Sequence, residues 1–117
     1  MKNQPFSRRL GFALEGLAVA VRSEASFRFQ VLAAAAALAF MAWQRPAPLW
    51  WALVLLTIGF VLAAELVNTA VEHLADHLHP DQHPRIKAVK DCAAAAVLVA
   101  SLCALGVAAA LLVELLA

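Results

Sequence analysis

The sequence predicts an all-α membrane protein with three transmembrane helices and an N-terminal amphipathic surface helix. Of its 117 residues, 64% are hydrophobic and only 15% are charged, whereas soluble domains are usually about 45–50% apolar. Three long apolar stretches alternate with short polar segments that hold most of the charges. We therefore expect residues 1–117 to form one small integral-membrane domain. No motif or basic domain typical of nucleic-acid binding is present, so we expect no nucleic-acid partner.

Residues 5–22 are predicted to form the amphipathic helix. The apolar residues Phe6, Leu10, Leu14, Leu17 and Val21 recur at steps of three and four, which places them on one helical face. Arginines 8, 9 and 22 lie on the other faces. A basic amphipathic helix of this kind can lie in the membrane interface. An ordinary core-facing helix is the alternative, but so apolar a chain has little soluble core to face.

Residues 27–43 form the first predicted span and residues 49–64 the second. Tryptophans 43, 50 and 51 flank the Pro-rich turn between them, as in the aromatic belts of membrane interfaces. The turn is so short that the two spans must be antiparallel neighbours. The helical pattern of the second span continues beyond residue 64, and we expect it to end at Pro80.

Residues 92–113 form the third predicted span, in a helix that begins near Arg85. The basic residues lie before the first span and between the second and third, with Arg45 alone in the first turn. Because basic loops stay in the cytoplasm, we expect the N-terminus and the 80–90 loop to be cytoplasmic. Cys92 and Cys103 are about 16 Å apart along one helix, too far for a disulfide, and we interpret them as packing residues.

The most informative polar residues follow the second span, in the segment 65–72 (ELVNTAVE). Glu65, Asn68 and Glu72 are three and four residues apart, so a helix places them on one stripe. An acidic residue costs about 2.5–3.5 kcal/mol at the centre of a membrane and less near the interface. Ionisable residues in membrane segments are functional candidates by default. Polar contact between helices is the alternative for this stripe.

Further charged clusters are expected at the same membrane depth, and they are Glu24 with Arg28, Glu72 with Asp76, and Lys90 with Asp91. Carboxylates near cations suit magnesium-dependent phosphoryl transfer, because Mg²⁺ takes one or two carboxylates plus phosphate oxygens and water. A further carboxylate can deprotonate an attacking hydroxyl, and a lysine can neutralise phosphate charge.

These clusters also have simpler interpretations. Glu24 and Arg28 are four residues apart, so they could form an ordinary surface ion pair. Lys90 and Asp91 could be an interfacial anchor and a charge at a helix N-terminus. The four histidines, at positions 73, 77, 79 and 83, invite a zinc site, but solvated interfacial side chains are the favoured interpretation.

At these residues the chain resembles the small prokaryotic diacylglycerol kinase family, which also includes undecaprenol kinases. The resemblance rests on residues 24–28 (EASFR), on residues 65–72, and on Lys90–Asp91 before an Ala-rich span. It covers nearly the whole chain. It implies a homotrimer in the bacterial inner membrane whose active sites face the cytoplasm and are shared between subunits. The implied reaction transfers the γ-phosphoryl group of ATP to a lipid hydroxyl.

The resemblance also implies a role for each matching residue. Glu65 corresponds to the catalytic base that accepts the lipid hydroxyl proton, and Asn68 to the polar residue that supports the site. Glu24 and Glu72 correspond to the carboxylates that hold Mg²⁺ against the phosphates. The other implied ATP-binding positions are Phe12 beside the adenine, Lys90 on the phosphates, its neighbour Asp91, and the loop residues Asp81, Gln82 and His83.

We expect diacylglycerol to be the lipid and phosphatidic acid the product, because residues 24–28 follow the Gram-negative pattern of the family. Undecaprenol kinase is the alternative within the family. A small oligomeric transporter or scaffold is the alternative from another class of protein. That class would need a carboxylate deep within a span, whereas the carboxylates of this chain cluster at one end.

Overall fold

Four α-helices follow one another in the computed structural model, which describes residues 2–81 and 83–117. They are α1 (Phe6–Ser23), α2 (Ala25–Gln44), α3 (Pro48–Leu78) and α4 (Pro84–Leu116). Three of them, α2, α3 and α4, are long and apolar enough to cross a membrane. The prediction of an all-α fold with three long apolar helices is therefore confirmed.

The helix ends follow from local residue chemistry. Pro48 and Pro84 stand at the first positions of α3 and α4, where a missing N–H removes no helical hydrogen bond. His83 caps α4, because its ring Nδ1 accepts the backbone N–H of Arg85 at 3.1 Å. Arg45 ends α2 in the left-handed conformation, with φ 52° and ψ 56°, a position that usually holds glycine.

One extended residue, Glu24, separates α1 from α2. Its backbone N–H donates to the carbonyl oxygen of Ala20 at 2.9 Å, and its own carbonyl accepts the N–H of Arg28 at 3.2 Å. Glu24 thus closes one helix and opens the next, at φ −119° and ψ 108°. The reversal leaves the Glu24 side chain at a corner of the structure, close to α3.

Helix α3 has an apolar first part and a polar last part, and it is longer than one membrane crossing. Its 31 residues rise about 46 Å, whereas the hydrocarbon layer of a membrane is about 30 Å thick. The helix runs on past residue 64 and ends at Leu78, before Pro80, as the sequence predicts. The helix is therefore longer than a single membrane crossing requires, and its polar stripe lies in its C-terminal half.

Packing is uneven among the three long helices. Helices α3 and α4 pack against each other extensively, and α2 packs on α3 with its backbone farther from that of α4. Met41, Val54 and Leu111 form a small core at the end of the bundle remote from the polar stripe. Because α2 leans away from α4, an open apolar groove of about 700 Å³ lies between the three helices.

Candidate active site at the polar end of the bundle

Glu65 is the most buried carboxylate in the described part of the chain, with 3% of its surface exposed. Its Oε2 accepts a hydrogen bond from the hydroxyl of Ser26 on α2 at 3.0 Å. The hydroxyl of Thr69 donates to the Glu65 backbone carbonyl at 2.9 Å, one turn along α3. The contact with Ser26 holds the carboxylate at the line where α2 and α3 meet.

Asn68 and Glu72 continue the stripe on α3 towards the interface. The Asn68 side-chain amide donates to Oε1 of Glu72 at 3.4 Å. The other end of the same amide, Oδ1 of Asn68, is buried and has no hydrogen-bond partner among the described residues. Because a buried acceptor without a partner is costly, this oxygen is a candidate ligand for a donor or a cation.

Glu24 reaches the same part of α3 from the corner between α1 and α2. Its Oε1 lies 3.7 Å from Nε2 of His73, and 24% of its side chain is exposed. His73 directly follows Glu72 in the sequence, so the Glu24 side chain meets the turn of α3 that carries Glu72. Glu24 therefore contacts the residue next to Glu72, and the assignment of both carboxylates as magnesium ligands stays a prediction.

Arg28 does not pair with Glu24 in the described structure, so the surface ion pair considered from their spacing is absent there. The guanidinium Nη1 of Arg28 instead donates to the backbone carbonyls of Val21 at 2.7 Å and Arg22 at 3.1 Å. These are carbonyls of the last turn of α1, which lack helical partners. Arg28 therefore fastens α2 to the end of α1 and leaves the Glu24 carboxylate available.

Two lysines of α4 form ion pairs, one with a residue of α3 and one within α4. Lys90 forms an ion pair with Asp76 of α3, and Lys87 pairs with Asp91 at 2.6 Å. Asp91, with 62% of its side chain exposed, therefore has Lys87 as its partner rather than its sequence neighbour Lys90. The hydrogen bond and negative charge of Asp91 raise the pKa of Lys87 above its ordinary value.

The loop between α3 and α4 surrounds a cavity of about 190 Å³. Lys90 lines it together with the predicted nucleotide-binding residues Asp81 and His83. The carbonyl of Asp81 contacts Nδ1 of His79 at 2.8 Å, and the His79 and His83 rings are 5.3 Å apart. Gln82, predicted for the same loop, lies outside the described residues.

Phe12 lies on α1, with 37% of its surface exposed. Among the described residues, no aromatic partner, hydrogen bond or ion pair links its side chain to Glu24, Glu65 or Glu72. Asn68 contacts Glu72, Glu24 contacts the neighbouring His73, and Asp81, His83 and Lys90 line one cavity. The position of Phe12 leaves the ring accessible to a planar ligand.

The donor set at this end of the bundle fits Mg²⁺ better than zinc. Glu24, Glu72 and the unpartnered Asn68 oxygen are hard oxygen donors, and Mg²⁺ is usually bound through one or two carboxylates plus phosphates and water. Within residues 2–81 and 83–117, no group of three His, Cys, Asp or Glu side chains could hold a metal by itself. The histidines thus form no such zinc cage there.

Three contacts at the site join residues that the sequence did not predict to be partners. Ser26 donates to Glu65, His73 contacts Glu24, and Asp76 pairs with Lys90. Each contact joins separate helices or a helix and the α1–α2 corner, so spacing along one helix gives no signal for it. Such a partner could be recognised only as a polar residue that packs opposite a buried carboxylate. Finding it requires knowing how the helices pack.

Comparison with known proteins places the whole site within one family. The model of the family described as prokaryotic diacylglycerol kinase matches residues 11–112. The chain is 36% identical over 94 residues to an undecaprenol kinase of Bacillus subtilis strain 168, covering 80% of this chain and 76% of that protein. It is 29% identical over 90 residues to a diacylglycerol kinase of Escherichia coli K12, covering 77% and 74%. The matched region contains Glu24, Glu65 and Glu72 and nearly all of the three long apolar helices. The chain therefore belongs to the prokaryotic diacylglycerol kinase family of membrane lipid kinases, which use ATP as phosphate donor.

Proposed function

We propose that this protein transfers the γ-phosphoryl group of ATP to the hydroxyl of a membrane lipid, with Glu65 as the catalytic base. The lipid oxygen forms a bond to the γ-phosphorus, the bond from that phosphorus to the β–γ bridging oxygen breaks, and ADP leaves. The hydroxyl proton passes to the Glu65 carboxylate. The observation that carries this proposal is a buried carboxylate, held by Ser26, at the start of the polar stripe of α3.

The neighbouring residues suit the donor nucleotide. Glu24 and Glu72 would hold Mg²⁺, with the free Asn68 oxygen beside them. The ion, when bound, neutralises charge on the transferring phosphoryl group. Lys90 would contact the phosphates from the loop cavity, where its ammonium group attracts their negative charge. Positioning and charge neutralisation account for most of the rate acceleration in this type of reaction.

The other implied nucleotide contacts come from α1 and from the loop between α3 and α4. Phe12 would stack on the adenine, and Asp81, Gln82 and His83 would line the nucleotide from the loop. Asp91 would act through Lys87, with which it is paired. These assignments extend the family resemblance.

The proposed setting is the bacterial inner membrane, with the site facing the cytoplasm. Arg85, Lys87 and Lys90 lie beside the site end of α3 and α4, and cytoplasmic loops are rich in such residues. We also propose a homotrimer. In the single chain most of the surface of α2, α3 and α4 is exposed, and the groove beside α2 is open, so neighbouring copies have apolar faces to cover.

Two lipid alcohols are candidates for the acceptor. Residues 24–28 favour diacylglycerol, because they follow the Gram-negative pattern of the family. The identity of 36% to an undecaprenol kinase, against 29% to a diacylglycerol kinase, favours undecaprenol. We place undecaprenol first, because identity counted over 94 residues outweighs a five-residue segment. Both lipids present a primary hydroxyl at the interface, so the same base and metal ligands serve either one.

The test is an assay of the purified protein in mixed micelles with ATP, Mg²⁺ and one lipid at a time. We expect ATP consumption to require both Mg²⁺ and lipid, and the phosphorylated lipid to appear in equal amount. Higher kcat/KM with undecaprenol supports the first candidate, and higher kcat/KM with diacylglycerol supports the second. No lipid-stimulated ATP consumption with either alcohol would contradict the proposal and favour a transporter or scaffold.

A further inference from the structure

The hydroxyl of Ser26 is the only side-chain donor to the Glu65 carboxylate within the described residues. Ser26 is the second residue of α2, and its hydroxyl meets Oε2 of Glu65 across the α2–α3 contact at 3.0 Å. The two residues are 39 positions apart in the sequence. The contact therefore depends on how the two helices pack and not on the spacing within either helix.

Ser26 is itself exposed, but the residues that follow it anchor the turn of α2 that carries it. Phe27, the next residue of α2, is 2% exposed and anchors this end of the helix in the structure. Arg28 binds the carbonyls at the end of α1, which fixes the rotation of the same turn of α2. Ser26 thus directly precedes two anchored residues, and its short side chain places the hydroxyl against the carboxylate.

A hydrogen bond to an ionised carboxylate is stronger than one between neutral groups, and it matters most where water is scarce. Glu65 is almost fully buried, so its orientation is set by the donors that reach it. Ser26 engages Oε2, which leaves Oε1 as the oxygen free to accept the proton of a lipid hydroxyl. An unheld carboxylate would divide its time among rotamers, and few of these would aim an oxygen at the substrate.

We propose that Ser26 is a positioning residue that holds Oε2 of Glu65 and so selects Oε1 as the basic oxygen. This inference rests on the proposed role of Glu65 as the base. Ser26 itself touches neither ATP nor the reacting phosphorus in this assignment. Its effect is therefore expected in kcat and not in the binding of either substrate.

The test compares Ser26→Ala, Ser26→Thr and the control Ser23→Ala, each purified in micelles and assayed as the full chain. Ser23 is the matched control because its hydroxyl donates only to the Val19 carbonyl within α1 at 2.8 Å. We expect Ser26→Ala to lower kcat about tenfold, with KM for ATP and for lipid changed less than about twofold. Ser26→Thr, which keeps a hydroxyl, restores most of kcat, and Ser23→Ala matches the wild type.

Other outcomes would overturn the inference. An unchanged or higher kcat in Ser26→Ala would show that the serine is dispensable, or that it competes with the lipid for the carboxylate. An equal loss in Ser26→Thr or in Ser23→Ala would point to packing. Failure of the underlying proposal is recognised separately, because then the wild type shows no lipid-dependent turnover or Glu65→Gln keeps full activity. A thermal unfolding curve for each variant shows whether it is folded.

Discussion

Lys90 of α4 and Asp76 of α3 form an ion pair that joins the two longest helices beside the loop cavity. The side chain of Lys90 is 36% exposed and that of Asp76 is 61% exposed, so the pair adds little to stability. Its importance lies in position, because it holds one ammonium group at the cavity where the phosphates of ATP are proposed to bind.

Replacing Lys90 by methionine is expected to raise KM for ATP at least about tenfold, because a charge-assisted contact to phosphate is lost. KM for the lipid is expected to stay the same. The control is Arg85→Met, which removes one positive charge from the first turn of α4. An equal rise in the control would mean that only the general charge of the loop matters.

Replacing Glu24 or Glu72 by glutamine is expected to raise the Mg²⁺ concentration needed for half-maximal activity about tenfold or more. The physical reason is that each change removes one negative oxygen ligand while keeping the size of the side chain. A magnesium titration at saturating ATP measures it. Glu15→Gln, on an exposed part of α1, serves as the control, and an unchanged magnesium requirement in both site variants would remove them as ligands.

The pair of Lys87 and Asp91 predicts a pH effect at the alkaline end. Asp91 raises the pKa of Lys87 above 10.5, first through the hydrogen bond and then through its charge. The pair therefore stabilises the folded protein below pH 10.5. This stabilisation is lost as the pH rises through the higher pKa that Lys87 has in the folded protein. An NMR titration of the Lys87 side chain should show this pKa fall in Asp91→Asn. No difference between the two proteins would contradict the pairing.

Replacing Arg45 by glycine is expected to stabilise the folded protein. Arg45 occupies the left-handed region, at φ 52°, which costs a residue with a Cβ about 1–2 kcal/mol relative to glycine. Arg45→Gly is expected to raise the free energy of unfolding by about 0.5–1 kcal/mol, after the greater freedom of glycine in the unfolded chain is subtracted. Thermal unfolding in micelles measures it, with Arg45→Ala as the variant that should show no gain. Lower stability of the glycine variant would contradict the account.

The helices and the polar stripe were predictable because each depends on residues near one another in the sequence. Apolar length gave α2, α3 and α4, Pro80 marked the end of α3, and helical periodicity aligned Glu65, Asn68 and Glu72. These features need only the pitch of a helix and the low polarity of a membrane.

The partners of the charged residues were harder to predict. Spacing suggested Glu24 with Arg28 and Lys90 beside Asp91, whereas Glu24 meets His73 and Lys90 meets Asp76. Both observed partners, His73 and Asp76, lie on α3. These pairings depend on which face of α3 packs against the α1–α2 corner and which packs against α4. Periodicity within one helix carries no information about that packing, and the contact of Ser26 with Glu65 was missed for the same reason.

The most direct test of the account is the turnover of Glu65→Gln in lipid-containing micelles with saturating ATP and Mg²⁺. Glutamine keeps the shape and can still accept the Ser26 hydrogen bond, but it cannot take up the hydroxyl proton at neutral pH. We expect turnover to fall about 1,000-fold or more, with normal thermal unfolding and an unchanged KM for ATP. A folded Glu65→Gln protein that keeps the wild-type turnover would contradict the central claim.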